Sequence, residues 1–292
     1  WSTVPIPIIS FQKPICHKVT AANPMTSLQD VFQCDQPVAL ITGSGAPRVG
    51  RAIAVDLARL GCRIALHANT SGTEAEQVAA QLATRYGSEA IVLNGSLDQP
   101  EVPERLVRET QQHFGRIDIL VNSAAIWHPT RLEEVTAREL MDYFKINAAA
   151  SFLAARSAGL RMVDQPSGGC IINIGDWATT RPYLDHAAYF PSKGAVEVMT
   201  RSLAVELGQR NRKIRVNCIQ PGPVLLAEDV SEEDARRIAE STLVGRVGEP
   251  QHVAKAVQFL CENDFVTGVC LPVDGGRSIF APDGLQVGLN SG

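Results

Sequence analysis

A tyrosine and a lysine four residues apart, Tyr189 and Lys193, form a pair suited to acid–base chemistry. Residues four apart lie on the same face of an α-helix, so the lysine ammonium is expected beside the phenol. A positive charge there favours the phenolate, which predicts a lowered pKa for Tyr189 and transfer of its proton to a substrate. Asp176 stands thirteen residues before Tyr189, and a buried carboxyl there could accept from substrate N–H groups or relay a proton.

A glycine-rich turn, "TGSGAPRVG", follows the apolar run at 38–42 and carries Gly43, Gly45 and Gly50. Glycines let a backbone approach a pyrophosphate closely, and a following helix offers free N–H groups and the positive end of its dipole. Arg48 stands at the expected helix start, where its guanidinium could bind a phosphate or an acceptor group of a substrate. The turn therefore predicts a dinucleotide site.

The second apolar run ends in "LHANTS", without the acidic residue that usually binds the ribose diol of NAD. His67, Asn69, Thr70 and Ser71 offer neutral hydrogen-bonding groups that tolerate a 2′-phosphate. The stretch contains no Arg or Lys, yet the missing carboxylate favours NADP, with NADPH as the reductant, over NAD.

The elements that must position these residues alternate along the chain. Seven strands are predicted, at 38–42, 63–67, 90–94, 117–122, 170–175, 214–220 and 269–273. Helices are predicted between them, at about 48–61, 73–86, 100–114, 136–163, 187–208, 231–243 and 250–262. Nearly unbroken apolar strands separated by helices indicate an α/β fold with a doubly wound parallel sheet, a single Rossmann-type domain. Such a sheet binds ligands at the carboxyl ends of its strands.

We assign residues 37–277 to this domain, residues 1–36 to a loose N-terminal extension and residues 278–292 to a C-terminal tail. The net charge of −4 excludes the basic excess of nucleic-acid-binding proteins, and no apolar run reaches the length of a membrane span, about 20 residues. Seven scattered cysteines without a C-x-x-C pair indicate reduced thiols in a reducing, cytoplasmic compartment, and no metal site is expected.

Six segments in order, "TGSGAPRVG", "DILVNSAA", "KINAAA", "YFPSK", "IQPGPV" and "VDGG", resemble the short-chain dehydrogenase/reductase family over residues 37–277. The resemblance implies that Asn147, Tyr189 and Lys193 are catalytic, and that the protein is a homotetramer packed through its helices. The expected cofactor-binding set is Gly43, Arg48, Val49, His67, Asn69, Thr70, Ser71, Ser96, Leu97, Asn122, Ala124, Ile174, Tyr189, Lys193, Pro221, Gly222 and Val224.

Departures from the family pattern suggest a substrate. Asp176 stands where the family has a catalytic serine, Arg48 replaces a glycine of the turn, and Trp127 follows "NSAA". This combination resembles pteridine reductases and dihydromonapterin reductases, and implies NADPH-dependent reduction of a C=N bond in a pterin. Arg48, Trp127, Asp176 and Tyr189 are then expected to bind the substrate, with Tyr189, Lys193 and Asp176 relaying the proton.

Two alternatives stay open. The first is a reductase of 3-oxoacyl or other ketones, against which Asp176 speaks, because an ionised carboxylate cannot donate to a developing oxyanion. The second is an NADP-binding regulatory protein with little turnover, against which the complete set of Asn147, Tyr189 and Lys193 speaks. His186, just before Tyr189, is either a proton-transfer group or a solvated residue at the start of the helix.

Overall fold

The computed structural model describes residues 27–226 and 230–280. Its seven parallel strands pair in the order β3-β2-β1-β4-β5-β6-β7. The strands are β1 (Val38–Ile41), β2 (Arg63–Ala68), β3 (Ala90–Asn94), β4 (Ile119–Asn122), β5 (Gly169–Ile174), β6 (Ile214–Pro221) and β7 (Cys270–Val273). The predicted doubly wound sheet is confirmed, with the order reversing between β1 and β4.

Helices cover both faces of the sheet. They are α1 (Leu28–Phe32), α2 (Val49–Arg59), α3 (Gly72–Tyr86), α4 (Val102–Phe114), α5 (Ala137–Tyr143), α6 (Ala150–Val163), α7 (Tyr189–Arg210), α8 (Glu232–Glu240) and α9 (Pro250–Glu262). The 3-10 turns are Leu132–Glu134 and Trp177–Thr179.

Two buried layers explain the apolar strands. Side chains alternate along β5, so Ile172 joins the core beneath α2 and α9, while Ile171 joins the core beneath α4, α6 and α7. All six residues of β5 are buried, as expected for a strand covered on both faces. The sheet thus fixes the ends of its central strands rigidly, and the candidate site is built on those ends.

The packed part of the chain begins before residue 37. Ser27 and Asp30 form a capping box that starts α1, and Leu28 and Phe32 are buried in the core beneath α9. The assignment of residues 1–36 to a loose extension is therefore wrong for this segment, because two large apolar side chains anchor it. Residues 1–26 of the extension and 281–292 of the tail lie outside the described part of the chain.

The long helix predicted at 136–163 is interrupted. A π-helical turn, Phe144–Ala149, separates α5 from α6 and contains Asn147. Such a turn widens the backbone spiral by one residue and is frequent at functional sites. No periodicity in the sequence marks it, since the helical pattern continues on both sides.

Within residues 27–226 and 230–280, no helix has the length and apolarity needed to cross a membrane. The same residues hold no cluster of three or more His, Cys, Asp or Glu side chains placed to bind a metal. The six cysteines among them are free thiols, and four of these are buried.

Candidate active site

The carboxyl edge of the sheet carries a cavity of about 390 Å³. It lies against the loops that follow β4, β5, β6 and β7, beside the point where the strand order reverses. Its lining residues are Trp127, Asp176, Trp177, Tyr183, Tyr189, Pro221, Gly222, Pro223, Leu225, Ile238 and Arg277.

Asp176 and Tyr189 meet in this cavity. The Tyr189 hydroxyl donates to Oδ2 of Asp176 at 2.8 Å, while Oδ1 accepts from the backbone N–H of Ala178 at 2.8 Å. Asp176 caps the 3-10 turn after β5, and Tyr189 is the first residue of α7. Both side chains are therefore held by elements that leave them little freedom.

The pKa of Tyr189, unlike that of Asp176, shifts in the direction opposite to the one predicted from the sequence. Burial raises the pKa of Asp176, against the hydrogen bonds from Ala178 and Tyr189 and the charge of Lys193. Burial, and next the Asp176 charge, raise the pKa of Tyr189 well above its usual value. The predicted lowering of the Tyr189 pKa is wrong for this arrangement, because burial of the phenol and the neighbouring Asp176 carboxyl both raise the pKa.

Lys193 lies one helical turn along α7 from Tyr189, as predicted. Its Nζ donates to the backbone carbonyl of Ile174 at 2.9 Å and stands 6.0 Å from the centroid of the Tyr189 ring. Burial lowers the pKa of this ammonium, and the Asp176 charge partly opposes that effect. The lysine thus adds a positive charge near the pair without contacting the phenol oxygen.

Asn147 fixes the segment that follows β4. Its Oδ1 accepts from the backbone N–H of Ile126 at 2.9 Å, and its Nδ2 donates to the Ile126 carbonyl and to Ser192 Oγ, both at 3.1 Å. The amide of Asn147 is therefore fully engaged with protein groups. It holds the residue before Trp127 against α7 and so shapes the cavity wall.

The glycine turn has the form a pyrophosphate needs. Gly43 has a φ of 67°, and a Cβ there would lie 2.8 Å from the Cα of Ala124. A Cβ on Gly45 would lie 2.6 Å from the backbone oxygen of Ser71. No side chain caps α2 at Arg48, so the first N–H groups of this helix stay available to an anion. These features fit a dinucleotide phosphate.

His67 has a different place from the one predicted. It is buried, its Nδ1 accepts from the backbone N–H of Gly43 at 3.1 Å, and its Nε2 consequently donates to the carbonyl of Gly95 at 2.9 Å. Burial lowers its pKa, which keeps the ring neutral. Both ring nitrogens are used, so His67 holds the glycine turn in place and has no group left for the ribose.

The other predicted cofactor residues lie along the same edge. Asn69 and Thr70 are exposed just after β2. The side chain of Asn122 is turned into the protein, where it donates to the Ser151 carbonyl and to Asn173. The remaining predicted positions lie at the start of α2 or at and just after the carboxyl ends of β2 to β6, namely Val49, Ser71, Ser96, Leu97, Ala124, Ile174, Pro221, Gly222 and Val224.

Arg48 does not join the cavity. Its exposed side chain lines a groove between α2 and α9, together with Arg59 and Lys255. The expectation that Arg48, Trp127 and Asp176 converge on one substrate is therefore wrong for Arg48, because its side chain lies in the groove beside α9 and does not line the cavity.

Aromatic side chains form one wall of the cavity. Trp127 donates from Nε1 to the Tyr183 hydroxyl at 3.2 Å and stacks on His186, with ring centroids 4.7 Å apart. Tyr183 stacks on Trp177 in turn, with centroids 6.2 Å apart. His186 is buried, so the alternative of a solvated histidine is wrong. The wall offers flat surfaces beside Tyr189.

Six lining residues were not among the predicted site residues: Trp177, Tyr183, Pro223, Leu225, Ile238 and Arg277. Trp177 and Tyr183 lie between the two catalytic candidates, where their spacing follows no period. Arg277 directly follows "VDGG", and that position was the only signal for it. Its guanidinium lies 4.6 Å from the centroid of the Trp177 ring.

The chain matches one family model and is similar in sequence to known reductases. The family described as Enoyl-(Acyl carrier protein) reductase matches residues 46–278. Versicolorin reductase 1 of Aspergillus parasiticus is 32% identical over 265 residues, 85% of this chain and 99% of that protein. NADPH-dependent aldehyde reductase 2, chloroplastic, of Arabidopsis thaliana is 32% identical over 256 residues, 82% and 93% of the two chains.

A solved structure is also similar to this chain, both in fold and in sequence. The crystal structure of a dehydrogenase/reductase from Sinorhizobium meliloti 1021 superimposes with a TM-score of 0.78 at 33% identity, over 86% of this chain and 98% of that one.

Proposed function

Because the chain belongs to the short-chain dehydrogenase/reductase family, we propose that it is an NADPH-dependent reductase of a carbonyl group on a flat ring system. The observation that carries this proposal is the position of Tyr189 at the end of a cavity with an aromatic wall. Offset stacking on such a wall orients a planar substrate, which suits the approach of a carbonyl oxygen to the phenol.

NADPH is the reductant we propose. The exposed polar residues after β2, Asn69 and Thr70, bring no carboxylate against a 2′-phosphate. The similarity to a relative described as NADPH-dependent points the same way. When bound, the cofactor supplies the hydride, and Gly43, Gly45 and the start of α2 hold its phosphates.

The residues of this chain supply the proton and the polarisation. Tyr189 donates its hydroxyl proton to the substrate oxygen, and the ammonium of Lys193 stabilises the phenolate left behind. A neutral Asp176 carries a hydroxyl hydrogen and donates to the same oxygen, as a serine does in other members of the family. Burial favours this neutral form by raising the Asp176 pKa.

A neutral Asp176 favours the first alternative of the sequence analysis, which is the reduction of a ketone. Asp176 spoke against ketone reduction only as an ionised carboxylate, which cannot donate. The raised pKa keeps the Asp176 carboxyl protonated to a higher pH. The objection therefore does not apply at the pH values where this carboxyl is neutral. The relatives that reduce aldehydes and versicolorin, by their names, support the same class of reaction.

Reduction of a pterin is the second candidate, and Asp176 favours it. A carboxylate accepts from N–H groups, which a pterin ring presents and a simple ketone lacks. The same aromatic wall accommodates this bicyclic ring. In this case, Asp176 must act as an acceptor or relay and not as a donor to oxygen.

A substrate panel separates the candidates. Purified protein is assayed for NADPH and NADH oxidation with isatin, a dihydropteridine and an acetoacetyl thioester. The proposal predicts the highest kcat/KM with isatin and a preference for NADPH. Turnover of the dihydropteridine alone would establish the second candidate, pterin reduction. Turnover of the thioester alone would refute both candidates.

We further propose that the protein is a homotetramer. Phe152 on α6 and Val198 and Val205 on α7 are 40%, 62% and 66% exposed, which leaves apolar surface on two adjacent helices. Burying such surface between subunits is favourable at about 25 cal/mol per Å². Analytical ultracentrifugation tests this, and a monomer at micromolar concentration would refute it.

A further inference from the structure

Arg277 lies in the substrate cavity, in the loop after β7, on the wall formed by Trp177. Its backbone is well fixed. Asp274 accepts from the N–H groups of Gly276 and Ser278 at 2.9 and 2.8 Å, and Arg181 donates to the carbonyl of Arg277 at 3.3 Å. These bonds fix the loop backbone from which the Arg277 side chain extends to the cavity wall.

No protein group neutralises this cation within residues 27–226 and 230–280. None of the ion pairs or side-chain hydrogen bonds there engages the guanidinium, whose close neighbour is the face of Trp177 at 4.6 Å from the ring centroid. Burial lowers the pKa of Arg277, with Tyr183 and Asp176 opposing that effect. Partial burial of a cation whose five donors meet no protein acceptor is unfavourable, and the indole face offsets only part of that cost.

The cavity is thus polar at two separate places. Asp176 and Tyr189, which share a hydrogen bond, provide the proton-transfer end, and the Arg277 guanidinium provides a positive charge elsewhere in the lining. The aromatic surface of Trp177 lies beside the arginine. A planar substrate that lies along the wall, with its reacting carbonyl at Tyr189, extends toward the guanidinium.

We propose that Arg277 binds an anionic substituent of the substrate, a carboxylate or a sulfonate-like group at the far end of the ring from the reacting carbonyl. The inference rests on the proposed function and names its substrate class: flat ring ketones that carry a negative charge. A guanidinium suits this role, because its planar fork binds two oxygens of one anionic group.

Two probes of matched ring test the proposal, isatin and isatin-5-sulfonate, each assayed with NADPH. The wild type should show a KM for isatin-5-sulfonate about tenfold or more below that for isatin, the effect of a charge-assisted hydrogen bond. Arg277→Gln should raise the KM of the sulfonate about tenfold to hundredfold more than it raises that of isatin. Arg277→Lys, which keeps the charge without the fork, should fall between.

Arg138→Gln is the matched control, since it removes one positive charge from a side chain that is 91% exposed. It should leave both KM values unchanged. Equal KM changes for both probes in Arg277→Gln would overturn the proposal and leave the proposed function intact.

Binding gives a readout that does not depend on turnover. Quenching of tryptophan fluorescence by isatin-5-sulfonate in the presence of NADP⁺ should be weakened in Arg277→Gln. If neither probe is reduced, the proposed function fails, yet this titration still decides the role of Arg277: an unchanged Kd refutes it. Thermal unfolding of both variants shows whether a loss reflects misfolding.

Discussion

Substituting Asp176→Ser distinguishes the two candidate reactions, because it exchanges a titratable carboxyl for a permanent donor. Serine also caps short turns, so the N–H of Ala178 keeps a partner at the start of the 3-10 turn. The hydrogen bond between Asp176 and Tyr189, 2.8 Å long, is weakened, and the nearby negative charge is removed. The pKa of Tyr189 should fall, since Asp176 helps to raise it.

The magnitude follows from the number of donors at the substrate oxygen. In the wild type, Asp176 donates only while neutral, so kcat for isatin should decrease as pH rises through its raised pKa. Loss of one donor to a developing oxyanion costs about 10²–10³ in kcat. Asp176→Ser should therefore match the wild type at low pH, exceed it by about 10²–10³-fold at high pH, and lack the pH-dependent decrease.

The assay is a pH profile of kcat for isatin and for a dihydropteridine, with wild type and Asp176→Ser in parallel. If Asp176→Ser loses isatin reduction at every pH, the carboxyl does more than donate, and the carbonyl proposal fails. If pterin reduction alone is lost, the second candidate gains its strongest support.

Stability provides an independent check on the same residue. The pKa of Asp176 is raised above its ordinary value of 3.8, so the native state binds more protons than the unfolded state between the two pKa values. The Asp176 contribution to the free energy of unfolding is then fully present below the unfolded pKa and is lost as pH rises through the native pKa. The Tm of Asp176→Ser relative to wild type should increase with pH over this window, and a constant difference would refute the raised pKa.

Three further predictions concern the proton donor, the cofactor turn and the base of the sheet. Tyr189→Phe should lower kcat about 10²–10⁴-fold while NADPH binding, followed by its fluorescence, is kept; retained turnover would reassign the donor. Gly45→Ala places a Cβ 2.6 Å from the Ser71 oxygen, so the KM for NADPH should rise about tenfold with little change in that for isatin. Asp118→Asn weakens the contact with Arg116 at 2.6 Å and should lower the free energy of unfolding in urea by on the order of 3 kcal/mol, with kcat of the folded enzyme unchanged.

Hydrophobic patterning predicted most of the fold, because strands covered on both faces are nearly unbroken apolar runs. All seven strands lie within two residues of their predicted positions. Short-range periodicity does not report exceptions to regular geometry, so the π-helical turn at Asn147 and the capped helix at Leu28 were missed.

The sequence predicted those site residues whose role follows from their position at the end of a strand or along a helix. Tyr189, Lys193 and Asp176 belong to this class, and the structure brings them together. Side-chain direction and protonation depend on tertiary surroundings. The sequence therefore placed Arg48 wrongly in the substrate site and did not identify Arg277 as a residue of that site.

The most direct test of the central claim is the fate of the hydride. Isatin is reduced with NADPH that carries deuterium at the transferable position, and the product alcohol is analysed by mass spectrometry. The account predicts an alcohol one mass unit heavier, formed by the wild type and about 10²–10⁴-fold more slowly by Tyr189→Phe. An unlabelled or absent alcohol, with deuterium appearing in a tetrahydropteridine when a dihydropteridine is supplied, would contradict it.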